Sequence, residues 1–338
     1  MKKLKYLFKR ILEMDFKKMF IIIKEIHNKT NKSKIIILLD IIYCGFKYQA
    51  GYMDYKLYEM YNMNKKERKT VLTRGINNAL IKEYNDKNYW YIFDNKEIFN
   101  KKFNKYLNRD WFYINENYED FLTFIKEKKE LIIKPTNACC GVGVKKIKIT
   151  KETNFENIYK ECVKNNTLLL EEVAKQHKEM KILHPDSVNT VRVVTLRNKY
   201  NVTSIVIALV RIGTNHNVVD NFNSNGLCAP VDIKTGKIYA PAINKRGEIY
   251  YNHPTTNTKI VDHLIPCWEE VQKLVIEASE VIKEVGLIGW DVCISPTGPV
   301  LIEANQFPGH DLYQLPPHRK DNIGVLPIFE KAINKKTK

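Results

Sequence analysis

Glycine and proline are scarce in the first half of this chain and gather in the second, out of 14 and 12 in all. That distribution predicts a helical beginning and a strand-and-turn-rich end. Long apolar runs are missing as well. Ile35–Ile42 is short and broken by Asp40, well below the roughly 18 residues of a membrane span. The N-terminus carries basic residues but no clean apolar core leading to a small-residue cleavage site, so a secretory leader is not expected. The seven cysteines include no CxxC pair and no Cys/His ligand spacing. Neither a zinc site nor a disulfide framework is therefore expected, and a reducing compartment is the simplest setting. Internal repeats, low-complexity linkers, a Walker loop and GxGxxG are all absent.

Acidic residues are short too: 38 stand against 55 basic ones, a net charge of +17. One reading is a Lys/Asn/Ile-biased composition with a solvated basic surface. The other is attraction to a polyanion such as a nucleotide, nucleic acid or an anionic membrane face. With 44% hydrophobic residues over 338 positions, a sizeable core is available.

Residues 1–34 look helical and basic, with Leu4, Leu7, Phe8, Ile11 and Leu12 at helical spacing. This segment is either an interfacial helix or an ordinary amphipathic helix packed on the body. Tyr52, Tyr55, Tyr58 and Tyr61 fall along one side of a helix and read as packing. Asn88–Phe93 reads as extended. Further strands are expected at Leu131–Ile133, Val144–Ile149, Thr167–Val173, Val191–Leu196 and Val202–Ile212. A hairpin is expected over Val231–Tyr239. Helices are expected over Phe155–Lys164 and over Trp268–Val285, the latter stopped by Gly286.

The stretch from Gly289 to Asn305 reads as two strands joined at Pro296-Thr297-Gly298. Centring the hairpin on Thr297 places Asp291 opposite Glu303, with Cβ atoms about 5 Å apart. Asn305 shares the face of Glu303. Two opposed carboxylates among Val292, Ile294, Val300, Leu301 and Ile302 should repel, and a hard divalent cation on oxygen ligands would offset that. A pair splayed to solvent or bridged by lysine is the alternative.

A phosphate side is also visible. Lys134 ends an apolar strand and precedes the small-residue loop Thr136–Gly143, whose backbone N–H groups can approach phosphate oxygens. An ordinary glycine hairpin with a snorkelling lysine competes with that reading. Leu168-Leu169-Leu170 runs into Glu171, Glu172 and Val173, where a strand edge and a carboxylate can face adenine and ribose. Arg192 lies in an interior strand and needs an anionic partner, either phosphate or a structural glutamate.

The order Lys134, glycine loop, Glu171-Glu172, Arg192, then Asp291 with Glu303-x-Asn305 resembles the ATP-grasp superfamily. More narrowly it resembles the ATP-grasp proteins associated with sugar transfer and surface-polysaccharide synthesis, strongest from Leu131 to Leu315 and weaker from Gly51. The resemblance implies an α/β (α+β) ATP-grasp fold, with ATP held between two α+β lobes and a helical N-terminal extension. Its expected segments are 1–50, 51–125 and 126–330, the last divided at 185/186. It implies ATP-binding roles for Lys96, Lys134, Gly141, Gly143, Glu171, Glu172 and Val173. It also implies catalytic roles for Arg192 and Lys134, and Mg²⁺ ligation by Asp291, Glu303 and Asn305, with two ions expected and Mn²⁺ able to substitute. Cys139 and Cys140 depart from the small or hydroxyl residues usual in such a loop. The implied activity is a carboxylate–amine ligase working through an acylphosphate on small-molecule or glycan-linked substrates. Alternatives are a phosphotransferase on the same fold and a non-enzymatic polyanion-binding module. His253–Thr256, His310, Asp311 and Gln314 are candidates for the acceptor side. A cytoplasmic setting is expected, with no specific nucleic acid partner and membrane contact open for residues 1–34.

Overall fold

The computed structural model describes residues 14–114, 117–137, 142–215, 222 and 226–336. Gly141, Cys139, Cys140 and the first thirteen residues lie outside this set. The chain forms two compact units. One runs to Glu83 and takes in Gly309–Lys331, and the other comprises Tyr84–Pro308 with Ala332–Lys338. Residues 51–83 lie in the first unit with the N-terminal helices, as does Gly309–Lys331.

In the first unit, α1 (Phe16–Thr30) starts where Asp15 accepts a hydrogen bond from Lys18 N at 3.0 Å, the usual side-chain answer to orphan N–H groups. It ends at Asn31, whose φ of 57° closes the last turn. After a three-residue link, α2 (Lys34–Tyr48) follows. Met19, Ile22, Ile23 and Ile26 of α1 share one core with Ile37, Ile41 and Cys44 of α2. Tyr55, Tyr58 and Tyr61 are buried in the same unit. Their three-residue spacing is packing, as expected, but the helix carrying it is broken. Tyr52–Leu57 is α-helical, Glu59 turns at φ 49°, and Met60–Asn62 is a 3₁₀ turn, where residues three apart eclipse. Among the described residues no helix is long and apolar enough to cross a membrane.

The second unit carries two antiparallel sheets. Strands β1 (Trp111–Tyr113), β2 (Glu130–Lys134), β3 (Lys145–Lys148) and β4 (Leu169–Glu172) form one sheet in the order β1-β4-β2-β3. Strands β5 (Thr190–Arg197), β6 (Thr203–Ile212), β7 (Leu227–Pro230), β8 (Ala242–Ile243), β9 (Ile249–Tyr250), β10 (Leu287–Ser295) and β11 (Gly298–Asn305) form the other, ordered β11-β10-β5-β6-β7-β8-β9. Helix α3 (Lys96–Phe103) lays Phe99 and Phe103 into the larger core, with Phe103 edge-on to the fully buried Trp290. Trp290 Nε1 donates to Thr195 Oγ1 at 2.9 Å, satisfying its one polar atom. Helix α4 (Phe155–Lys164) has the expected bounds.

Two expectations fail here. Asn88–Phe93 is not extended: Lys87–Tyr89 is a 3₁₀ turn and Tyr91–Asp94 one helical turn. Helix α5 (Trp268–Ser279) stops well before Val285. Ile282 and Val285 continue the apolar pattern because they are buried by an irregular segment. Gly286 is therefore not a helix cap. Its N donates to Tyr84 O at 2.8 Å, and a Cβ there would sit 2.9 Å from Arg197 O and 3.1 Å from Tyr84 O. Close backbone approach is what requires the glycine.

Candidate nucleotide and metal site

The hairpin of β10 and β11 sets Asp291 opposite Glu303, as expected, and pairs Gly289 with Asn305. The route differs. The turn is the two-residue Pro296-Thr297, closed by Ser295 paired with Gly298, and that register alone would set Asp291 against Ile302. A bulge between Asp291 and Val292 absorbs one extra residue on β11 and brings Glu303 back into line.

Strand β5 lies on the other side of β10, with Arg192 directly opposite Asp291. Arg192 grips Asp291 through both carboxylate oxygens, Nη2 standing 2.9 Å from Oδ2. Arg211 of β6 adds a second contact, Nη2 at 2.8 Å from the same Oδ2, and it also donates to Thr190 Oγ1 at 2.8 and 3.0 Å. Asp291 is fully buried. Burial alone would raise its pKa, but Arg192 and Arg211 outweigh it and hold the carboxyl far below the usual range. Glu303 goes the other way. Burial and then the neighbouring Asp291 push its pKa up, only partly offset by Arg211 and Lys134.

Lys134, the last residue of β2, is buried with its Nζ 2.8 Å from Glu171 Oε1. Burial lowers its pKa and Arg109 adds to that, against the pull of Glu171 and Glu303. Glu171 of β4 is held on every side: Asn100 Nδ2 donates to Oε1 at 2.7 Å and Arg109 Nε to Oε2 at 3.1 Å. Burial would raise its pKa, yet Arg109 and Lys134 bring it down from 4.5 to about 2. Arg109 also donates to Leu301 O and Ile302 O on β11, so one guanidinium links the two sheets. Glu172 points away from this cluster, accepting from Lys128 Nζ and from Asp110 N at 3.0 Å each. Val173 follows directly and is partly buried. Lys96 starts α3, and its backbone N donates to Thr136 O at 2.9 Å, beside the loop after Lys134. Gly143 closes that loop at φ 74°, with an added Cβ only 2.9 Å from Pro135 Cγ.

The structure thus gathers Lys134, Glu171, Arg192, Asp291 and Glu303 into one network of charges, with Asn305 on the same hairpin. It adds Arg109 and Arg211, which sequence reasoning missed. Arg211 carried the same signal as Arg192, a lone arginine inside an apolar strand (Val210-Arg211-Ile212). Arg109 carried none, since its partners stand 62 and 192 residues away. Three of the acceptor-side candidates, His253, His310 and Gln314, make structural hydrogen bonds. Both ring nitrogens of His253 serve backbone groups, Nε2 to Gly213 O at 2.8 Å and Nδ1 to Thr255 N and Thr256 N at 3.3 Å, and burial lowers its pKa. His310 Nε2 pairs with Asp54 Oδ1 at 3.1 Å, and Gln314 bridges Leu72 and Val325.

Among the described residues, Lys134, Arg109, Arg192 and Arg211 meet Glu171, Asp291 and Glu303 in this network. No group of three His, Cys, Asp or Glu side chains placed to hold a metal occurs among the described residues. The donor set that fits a hard cation is two carboxylates and an amide oxygen: Asp291, Glu303 and Asn305. Burial first and the neighbouring Asp291 second raise the Glu303 pKa, and a cation there would favour its ionised form.

This is an ATP-grasp fold. Residues 75–320 match the family model described as sugar-transfer associated ATP-grasp, and the chain belongs to that family. No curated protein matches the sequence. Among solved structures it is similar to the ATP-grasp ligase PsnB complexed with minimal precursor, at 14% identity over 79% of this chain and 70% of that one, TM-score 0.43. It is also similar to D-alanyl-alanine synthetase A from Vibrio cholerae, at 12% identity over 72% and 64%, TM-score 0.44. N5-carboxyaminoimidazole ribonucleotide synthetase from Thermotoga maritima matches at 12% identity over 68% of this chain, TM-score 0.38, and the chain spans 48% of that protein's length.

Proposed function

We propose that the protein is an ADP-forming carboxylate–amine ligase that uses ATP with Mg²⁺, or Mn²⁺ in its place. The observation that carries this reading is the opposed pair Asp291 and Glu303, flanked by Arg192, Arg211 and Lys134. The clustered cations suit a triphosphate, and the opposed carboxylates suit its accompanying metal ions.

In this reading Lys134 supplies a fixed charge to the α- and β-phosphates, and Gly143 with Gly141 lets loop backbone approach them. Lys96 approaches from the head of α3. Glu172 and Val173 face the ribose and adenine, while Glu171 positions Lys134 and Arg109. Asp291, Glu303 and Asn305 would hold the Mg²⁺ ions, two being expected. When bound, those ions neutralise charge on the β- and γ-phosphates. Arg192 and Arg211, which neutralise Asp291 in the structure, would supply positive charge to the transferred phosphoryl group. A substrate carboxylate oxygen bonds to the γ-phosphorus as the bond to ADP breaks. An amine then attacks the acyl carbon, phosphate leaves, a C–N bond forms and a proton passes to solvent. The protein's contribution is positioning and charge neutralisation in a water-poor site.

The substrates in this reading are sugar or amino-acid units of a surface glycan, and the reaction takes place in the cytoplasm. The family description supports the sugar setting. The test is ADP release from panels of uronic acids, amino acids and amino sugars, with product mass measured. An amide-linked product together with ADP is expected. A phosphorylated product without an amide means a phosphotransferase, and no ADP release with any pair overturns the ligase reading.

A further inference from the structure

Helix α2 is apolar on both sides. It buries Ile37, Ile41, Cys44 and Tyr48, yet Ile35, Leu39, Ile42 and Phe46 form an opposite stripe that is 71%, 60%, 45% and 54% exposed. Their spacing of four, three and four residues keeps them on one face. Helices apolar all round are normally covered. The stripe runs on into a cleft of about 610 Å³, where Ile42 and Phe46 meet Phe16 and Phe20 of α1. Phe20 and its neighbour Ile21 are themselves 57% and 58% exposed. A continuous face of this kind on one helical pair marks an interaction surface.

Charge decides what covers it. Lys17 and Lys24 flank Ile21 one turn to either side on α1, Lys34 opens α2, and Lys47 follows Phe46; all four are exposed. The described residues 14–53 hold seven lysines against Asp15, Glu25 and Asp40. An isologous pair of chains would set two such basic rims against each other. An anionic phospholipid surface instead neutralises the lysines while taking up the aliphatic and aromatic side chains. We infer that α1 and α2 form a membrane-docking face that lies in the interfacial layer of an anionic bilayer. Stable attachment by two weak signals together, apolar insertion and basic attraction, is the expected mode.

The test is co-sedimentation of the full-length protein with phosphatidylcholine vesicles, with and without roughly one-third phosphatidylglycerol. The Ile35→Ser/Leu39→Ser double variant is run beside it, since both side chains belong to the stripe and are exposed, at 71% and 60%, and the fold does not depend on them. Binding to the anionic vesicles is expected, weakened by added salt and by Lys17→Gln/Lys24→Gln. The serine pair is expected to reduce it roughly tenfold or more, with an unchanged thermal midpoint. No binding to anionic vesicles overturns the inference. So does binding that the serine pair leaves unchanged, or a dimer in sedimentation velocity that the serine pair dissolves while vesicles go unbound. None of these outcomes depends on ATP turnover, so they stand apart from the ligase reading.

Discussion

Glu171 is the carboxylate that balances both Arg109 and Lys134 among the described residues, and so anchors the proposed phosphate side. Removing one member of a buried ion cluster leaves charge uncompensated, at a cost of about 3–5 kcal/mol. Glu171→Gln is therefore expected to lower urea-unfolding stability by that amount, and a loss below about 1 kcal/mol would contradict the arrangement. The same residue sets a pH dependence. Its pKa falls from 4.5 to about 2 on folding, so the folded state prefers the ionised form. That stability is present above pH 4.5 and is lost as pH falls toward 2. The Glu171→Gln variant should show a flatter stability profile between those values. Arg211 belongs to the chemistry in the proposed mechanism, not only to the sheet. Arg211→Met is expected to lower kcat for ADP release roughly 10²–10³-fold, the usual loss for one preorganised donor. A change in KM alone would assign it to uniform ATP binding.

At the scale of elements, much of the site could be read in advance because it depends on short-range pattern. Alternating apolar residues gave β5, β6, β10 and β11, and hairpin symmetry gave the Asp291–Glu303 pair. The pair was right although the turn was not centred on Thr297, because a bulge made up the difference. Nothing in a run such as Val300-Leu301-Ile302 marks a bulge before folding. The end of α5 was hidden for a related reason. Ile282 and Val285 fit the helical period but are buried by turns, and periodicity reports burial, not backbone geometry. The Asp232–Gly236 turn contains a constraint that only the structure exposes. Gly236 has φ 72°, and a Cβ there would lie 2.5 Å from Trp268 Cγ at the start of α5. Trp268 is itself tied to Ile233 O at 2.9 Å. Gly236→Ala therefore combines a left-handed strain with a clash, and is expected to lose about 2–4 kcal/mol in urea unfolding. A neutral result would mean that the turn and α5 can separate freely.

At the scale of the molecule, the second unit puts its charges where two sheets meet. Arg109 spans them through Glu171 on β4 and carbonyls on β11, so the phosphate side and the carboxylate hairpin are held in one network. Without a ligand that network carries an opposed carboxylate pair, and Glu303 is the member driven toward its protonated form. Because folding raises its pKa, Glu303 weakens the fold as pH rises through its unfolded value. Glu303→Gln is accordingly expected to melt higher than the wild type when no ligand is present. The most direct measurement is thermal stabilisation by a non-hydrolysable ATP analogue, with and without Mg²⁺, in the wild type and in Glu303→Gln. At about 100 times Kd the wild type should gain roughly 2.7 kcal/mol only when Mg²⁺ is present, and the variant should not. A wild type that gains nothing, or a variant that gains as much, would contradict the assignment of a nucleotide and metal site to this hairpin.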